Sequence, residues 1–122
     1  MNFKIKGVDI EITEALRNYA EKKIYEALEK FDTEERKGSV LVEIELSKTN
    51  NHHTHGEMYK SSAKVSGIYK NIFMEATKDD LYASIDELKD KLDHRLAEHK
   101  DKKKTLTHRM ALRFKKLFKN QD

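Results

Sequence analysis

The sequence predicts an α+β domain: a four-stranded mixed sheet with two helices packed on one face, in the order β-α-β-β-β-α, followed by a basic C-terminal tail. Three observations predict it. Two long stretches carry apolar residues at helical spacing, four shorter ones alternate with a period of two, and the later strands are joined by connections of turn composition.

Phe3 and Ile5 alternate with Lys4 and Lys6, which reads as a short strand stopping at Gly7. Val8, Ile10 and Ile12 continue in the opposite phase, so a bend is expected at that glycine. Thr13 followed by Glu14 is a helix start, because a hydroxyl caps free N–H groups and an acid suits the positive end of the helix dipole. Leu16, Tyr19, Ala20, Ile24, Leu28 and Phe31 then form one apolar stripe. After a polar connection over 32–38, Val40, Val42, Ile44 and Leu46 alternate with Leu41, Glu43, Glu45 and Ser47, as a strand buried on one face does. The run from Ser47 to Gly56 has turn composition and is expected to be a loop or hairpin connection. Tyr59, Ser61, Ala63 and Val65 mark the next strand, residues 67–70 a turn, and Ile72, Met74 and Ala76 a last short strand.

Asp79 and Asp80 open the second helix, with Thr77 as its expected cap. Leu81, Ile85, Leu88, Leu92 and Leu96 fall on a stripe about 80° wide. Lys91, Arg95 and Lys102 lie along one flank and Lys89 and Lys100 along the other, where either their stems snorkel over the core edge or the flanks form a binding surface. The three later strands should be antiparallel, and the first should reach the second by a right-handed parallel crossover.

With 122 residues the chain has room for one modest core, and with no cysteine it has no disulfide, no thiolate nucleophile and no Cys-ligated zinc. No apolar run approaches the roughly 18 residues of a membrane span, and the N-terminus lacks a signal-like stretch, so a cytoplasmic protein is expected. The net charge of +3 hides an asymmetry. Residues 1–99 hold 16 Lys and Arg against 20 Asp and Glu, whereas residues 100–119 hold nine cations against the single acid Asp101. Such a distribution points to a polyanionic partner.

RNA binding needs cations spaced to follow phosphates. The candidates are Arg17, Lys22, Lys23 and Lys30 on the first helix, and Lys89, Lys91, Arg95, Lys100, Lys102, Lys103 and Lys104 on the second and its extension. Glu14, Glu21, Glu26 and Glu29 interleave with the first group, so a plain solvated face is the competing reading there. Two segments are expected, a domain over 1–104 and a tail over 105–122. The tail sets Leu106, Met110, Phe114 and Leu117 at spacings of four, four and three among Arg109, Arg113, Lys115 and Lys116. A basic amphipathic helix of this kind suits RNA, a partner groove or a membrane surface; the competing readings are a tail disordered until bound and one that packs back on its own domain. His52, His53 and His55 share a polar loop without a carboxylate or cysteine at metal-binding spacing, so no metal is expected. No nucleophile triad, Gly-rich phosphate loop or carboxylate pair in a recognisable motif is present, and neither catalysis, a cofactor nor a small-molecule substrate is expected.

The segment Asp80-Leu81-Tyr82-Ala83-Ser84-Ile85-Asp86, continuing to Lys91-Leu92 and Leu96, resembles the Asp-Met-Tyr-Ala-Ala-Ile-Asp and Lys-Leu signature of the ribosome hibernation promoting factor family, also called ribosome-associated inhibitor or sigma-54 modulation protein. Ile5-Lys6-Gly7, Glu11 to Arg17, Lys30-Phe31, and His99-Lys100 with Lys102 are similar to that family as well. The resemblance implies a fold like that of a double-stranded-RNA-binding domain. It also implies binding to the small (30S) ribosomal subunit and its 16S rRNA in the channel used by mRNA and tRNA, and hence silencing of translation in stress or stationary phase. It adds His99 to the candidate rRNA contacts and implies a short form that is monomeric off the ribosome. His94, Arg95 and Glu98 stand where the family commonly has Arg, Gln and Lys, and Glu26 where Lys is frequent. The competing readings are a general double-stranded-RNA module acting off the ribosome and a tail-driven membrane or protein adaptor.

Overall fold

Alternation becomes a sheet because one parity of each strand is buried. The structure, a computed structural model, describes residues 1–50 and 56–98. Strands β1 (Asn2–Val8), β2 (Leu41–Asn50), β3 (Glu57–Ser66) and β4 (Ile72–Lys78) form one sheet in the order β1-β2-β3-β4. β1 and β2 are parallel, and β2, β3 and β4 are antiparallel. Helix α1 (Glu14–Leu28) lies between β1 and β2, and helix α2, described over 81–98, follows β4. This is the expected β-α-β-β-β-α mixed sheet. The chain divides into two units, Met1–Leu92 and Asp93–Asp122, and the packing described here is that of the first.

The register stacks Phe3, Val42, Val65 and Ile72 in one row, and Ile5, Ile44, Ala63 and Met74 in the next. Val42, Ile44, Ala63, Val65 and Ile72 are buried there, together with Leu16, Ala20, Ile24, Ala27 and Leu28 of α1 and Ile85, Leu88 and Leu92 of α2. One buried hydroxyl ties the sheet to α2, and a second is satisfied within the helix. Ser61 Oγ donates to the Ser84 carbonyl at 2.8 Å and Ser84 Oγ to the Leu81 carbonyl at 2.6 Å, so neither is left unsatisfied.

Four expectations about boundaries need correction. β1 does not stop at Gly7 but runs to Val8, and the chain turns at Asp9, whose φ is +59°. Gly7 is required for space: a Cβ there would lie 2.8 Å from the Ile10 carbonyl oxygen and 2.9 Å from Ile12 Cγ1. The apolar stripe of the first helix outlasts the α-helix, because Glu29–Phe31 form a 3-10 turn. Residues 47–50 are strand rather than loop. Lys48 pairs across the hairpin: its Nζ lies 2.7 Å from Glu57 Oε1, and that hydrogen bond holds the Glu57 carboxyl below and the Lys48 ammonium above their ordinary values. Thr77 lies within β4 and does not cap α2; Asp80 does, accepting from Ala83 N at 3.1 Å. Thr13 caps α1 as expected, accepting from Leu16 N at 3.1 Å.

Candidate nucleic-acid interface

Cations that touch a polyanion must be exposed and not already committed. On α1, Arg17 and Lys22 are exposed and make no ion pair with another described residue. Five residues apart, they point about 140° away from each other around the helix, and Lys23 points about 100° from Lys22. The three therefore do not form one line of charge. Lys30 lies in the 3-10 turn after α1, its Nζ 5.3 Å from the centre of the Phe31 ring, and Arg36 covers the same ring at 5.5 Å.

Lys23 is held. Its Nζ is 3.6 Å from Asp86 Oδ1 of α2 and 5.6 Å from the centre of the Tyr19 ring, while the Tyr19 hydroxyl donates to that same oxygen at 2.5 Å. The hydrogen bond to Asp86, then burial and the neighbouring negative charges, push the Tyr19 hydroxyl pKa up to about 12. Tyr82 meets Tyr19 edge-on with ring centres 4.9 Å apart. Asp86 is thus the hub joining the two helices, a role the sequence motif does not disclose because its partners lie 63 and 67 positions away.

On α2, Lys91 reaches the sheet edge, where Nζ donates to the Glu75 carbonyl of β4 at 2.9 Å. This is the snorkelling expected of the helix flank, ending on a backbone acceptor. Lys89 is half-buried. Arg95 is exposed, and within the second unit His94 pairs with Glu98 one turn later at 3.3 Å. His99, Lys100, Lys102, Lys103, Lys104, the tail residues Arg109, Arg113, Phe114, Lys115 and Lys116, and the loop histidines His52, His53 and His55 lie outside the described residues.

The face of the sheet turned away from the helices was not singled out by the sequence reading. Its register sets Lys4, Glu43, Lys64 and Phe73 in one row and Lys6, Glu45, Ser62 and Glu75 in the next. Phe73, with 60% of its surface exposed, is the most exposed large apolar side chain among the described residues. The readable signal was its parity: an aromatic on the polar side of the Ile72, Met74, Ala76 alternation.

The family profile described as "Sigma 54 modulation protein / S30EA ribosomal protein" matches residues 3–104. A protein named ribosome hibernation promoting factor from Azotobacter vinelandii is 35% identical over 102 residues, 84% of this chain and 85% of that one. A protein of the same name from Escherichia coli K12 is 36% identical over 104 residues, 85% of this chain and 98% of that one. Two solved structures share the fold. One is the N-terminal domain of Protein Y from Thermus thermophilus, with a TM-score of 0.61 and 24% identity over 80% of this chain and 94% of that one. The other is a ribosomal subunit interface protein from Coxiella burnetii, with a TM-score of 0.62 and 24% identity over 83% of this chain and 99% of that one.

Proposed function

Because this chain belongs to the sigma 54 modulation protein / S30EA ribosomal protein family, we propose that it is a ribosome-associated hibernation factor that binds the small (30S) subunit and its 16S rRNA in the mRNA and tRNA channel and blocks translation sterically. The observation that carries this reading is the extent of the family match, which runs from β1 through the basic stretch Lys100–Lys104. The names of the relatives, which speak of ribosome hibernation and of the ribosomal subunit interface, support it.

The action is occlusion rather than catalysis. The sheet is the platform, and cations on the helices take rRNA phosphates, releasing condensed counterions as they do so. Arg17 and Lys22 are uncommitted and serve directly. Lys23 and Lys91 already have partners, so their contacts require exchange with Asp86 or with the Glu75 carbonyl. Residues 1–99 are net acidic, which assigns most of the phosphate neutralisation to the nine cations of residues 100–119. In this reading the tail over 105–122 is a second ribosome-binding element beyond the 1–104 domain.

The test is co-sedimentation of the full chain with small subunits across a salt series, with and without mRNA and tRNA, beside the same chain ending at Lys104. Binding should fall steeply with salt, be displaced by mRNA and tRNA, and weaken on truncation. Absence of co-sedimentation at low salt overturns the hibernation reading, and unchanged affinity after truncation removes the role of the tail. Tighter binding to naked RNA duplex than to subunits would select the general RNA-binding module instead.

A further inference from the structure

An aromatic residue favours a strand, so the presence of Phe73 in β4 needs no special account; the feature of interest is what stands beside its open ring on this mixed-charge sheet face. Phe73 stands directly opposite Lys64 in the β3–β4 register, where paired side chains lie about 5 Å apart at Cβ. Lys64 is exposed and, although Glu43 stands opposite it on β2, makes no ion pair with another described residue. The acid next to Phe73 on the same face of β4, Glu75, has its charge taken up by Lys60 at 2.9 Å. An open aromatic ring thus sits beside an uncommitted cation, on the sheet face opposite the helices. A nucleotide offers the complement of that pair, a flat base and, a few ångströms away, a phosphate. Stacking on an aromatic tolerates any base, because every base has a π-face.

We propose that this sheet face is a second RNA contact, in which Phe73 stacks on an unpaired base and Lys64 takes the adjoining phosphate. The inference rests on the ribosome-binding reading and deepens it: on this face the chain recognises a single-stranded nucleotide rather than a duplex. Stacking is largely insensitive to salt, whereas the Lys64 contact carries counterion release, so the two halves of the site separate experimentally.

The experiment uses the full chain as wild type, Phe73→Ala, Phe73→Trp and Lys64→Gln, measuring affinity for small subunits across a salt series together with the thermal midpoint of each variant. Phe73→Ala should weaken binding about tenfold with the salt slope unchanged, Phe73→Trp should retain it, and Lys64→Gln should lower the slope by about one. A photoreactive p-benzoylphenylalanine at position 73 should crosslink to rRNA. Wild-type affinity in Phe73→Ala overturns the proposal and leaves the ribosome-binding reading intact, as does a crosslink to ribosomal protein alone, which would make this a protein-docking face. Failure of the wild-type chain to bind subunits overturns both.

Discussion

Asp86 accepts from Tyr19 and pairs with Lys23, so one carboxylate fixes two side chains of the neighbouring helix. Removing the hydroxyl in Tyr19→Phe should cost about 1 kcal/mol of stability. It should also remove one late ionisation from the alkaline absorbance titration of the five tyrosines, since Tyr19 ionises only near pH 12. The sign follows from linkage. A tyrosine raised in the folded state contributes stability in full below its unfolded pKa of about 10, and that contribution is lost as the pH climbs toward 12. If the Tyr19→Phe curve instead loses an ionisation near pH 10 and keeps its late step, the late ionisation belongs to another tyrosine. Sequence reading could place Tyr19 in the apolar stripe of its helix but could not find its partner. Periodicity reports which way a residue faces, and only the tertiary fold brings position 19 to position 86.

At the level of elements, much of the fold was legible because apolar residues obey their periods. Strands β2 and β3 and the stripe of α2 follow directly from alternation and from Leu spacing. The ends were less legible where polar residues do structural work. Ser47 to Asn50 pair as strand with side chains that composition assigns to a turn, and Gly7 lies inside a strand because the returning chain crowds it. The start of α2 is the sharpest case, since Thr77 and Asp80 are both competent caps and only the three-dimensional geometry selects Asp80. Asp80→Ala should therefore destabilise the protein by about 1 kcal/mol in chemical denaturation. Thr77→Val, which keeps the β-branched shape and removes the hydroxyl, should leave stability within about 0.5 kcal/mol. A loss in Thr77→Val with none in Asp80→Ala would return the cap to Thr77. For the candidate interface, the sequence supplied the cations but not their commitments. Nothing in the spacing of Lys91 shows that it ends on the carbonyl of a strand 16 residues earlier.

For the molecule as a whole, the sheet mixes two kinds of neighbour. β2, β3 and β4 close on each other through pairs only seven residues apart, Asn50 with Glu57 and Val65 with Ile72. β1 instead reaches its neighbour across the whole of α1, Asn2 pairing with Leu41, 39 residues on. Loop-closure entropy makes that last contact more expensive by about 1.5 kcal/mol before any packing rewards it. The meander can therefore assemble as soon as its own residues are available, while β1 must wait for α1 to lie down on the buried face. Pulse-labelled hydrogen exchange during refolding should protect the amides of β2 and β3 before those of β1, and simultaneous protection would show that the crossover closes in the same step. During synthesis the order of emergence runs against the order of assembly. The first strand made would be the last one placed, leaving its row of Phe3 and Ile5 for chaperones to meet in the interval.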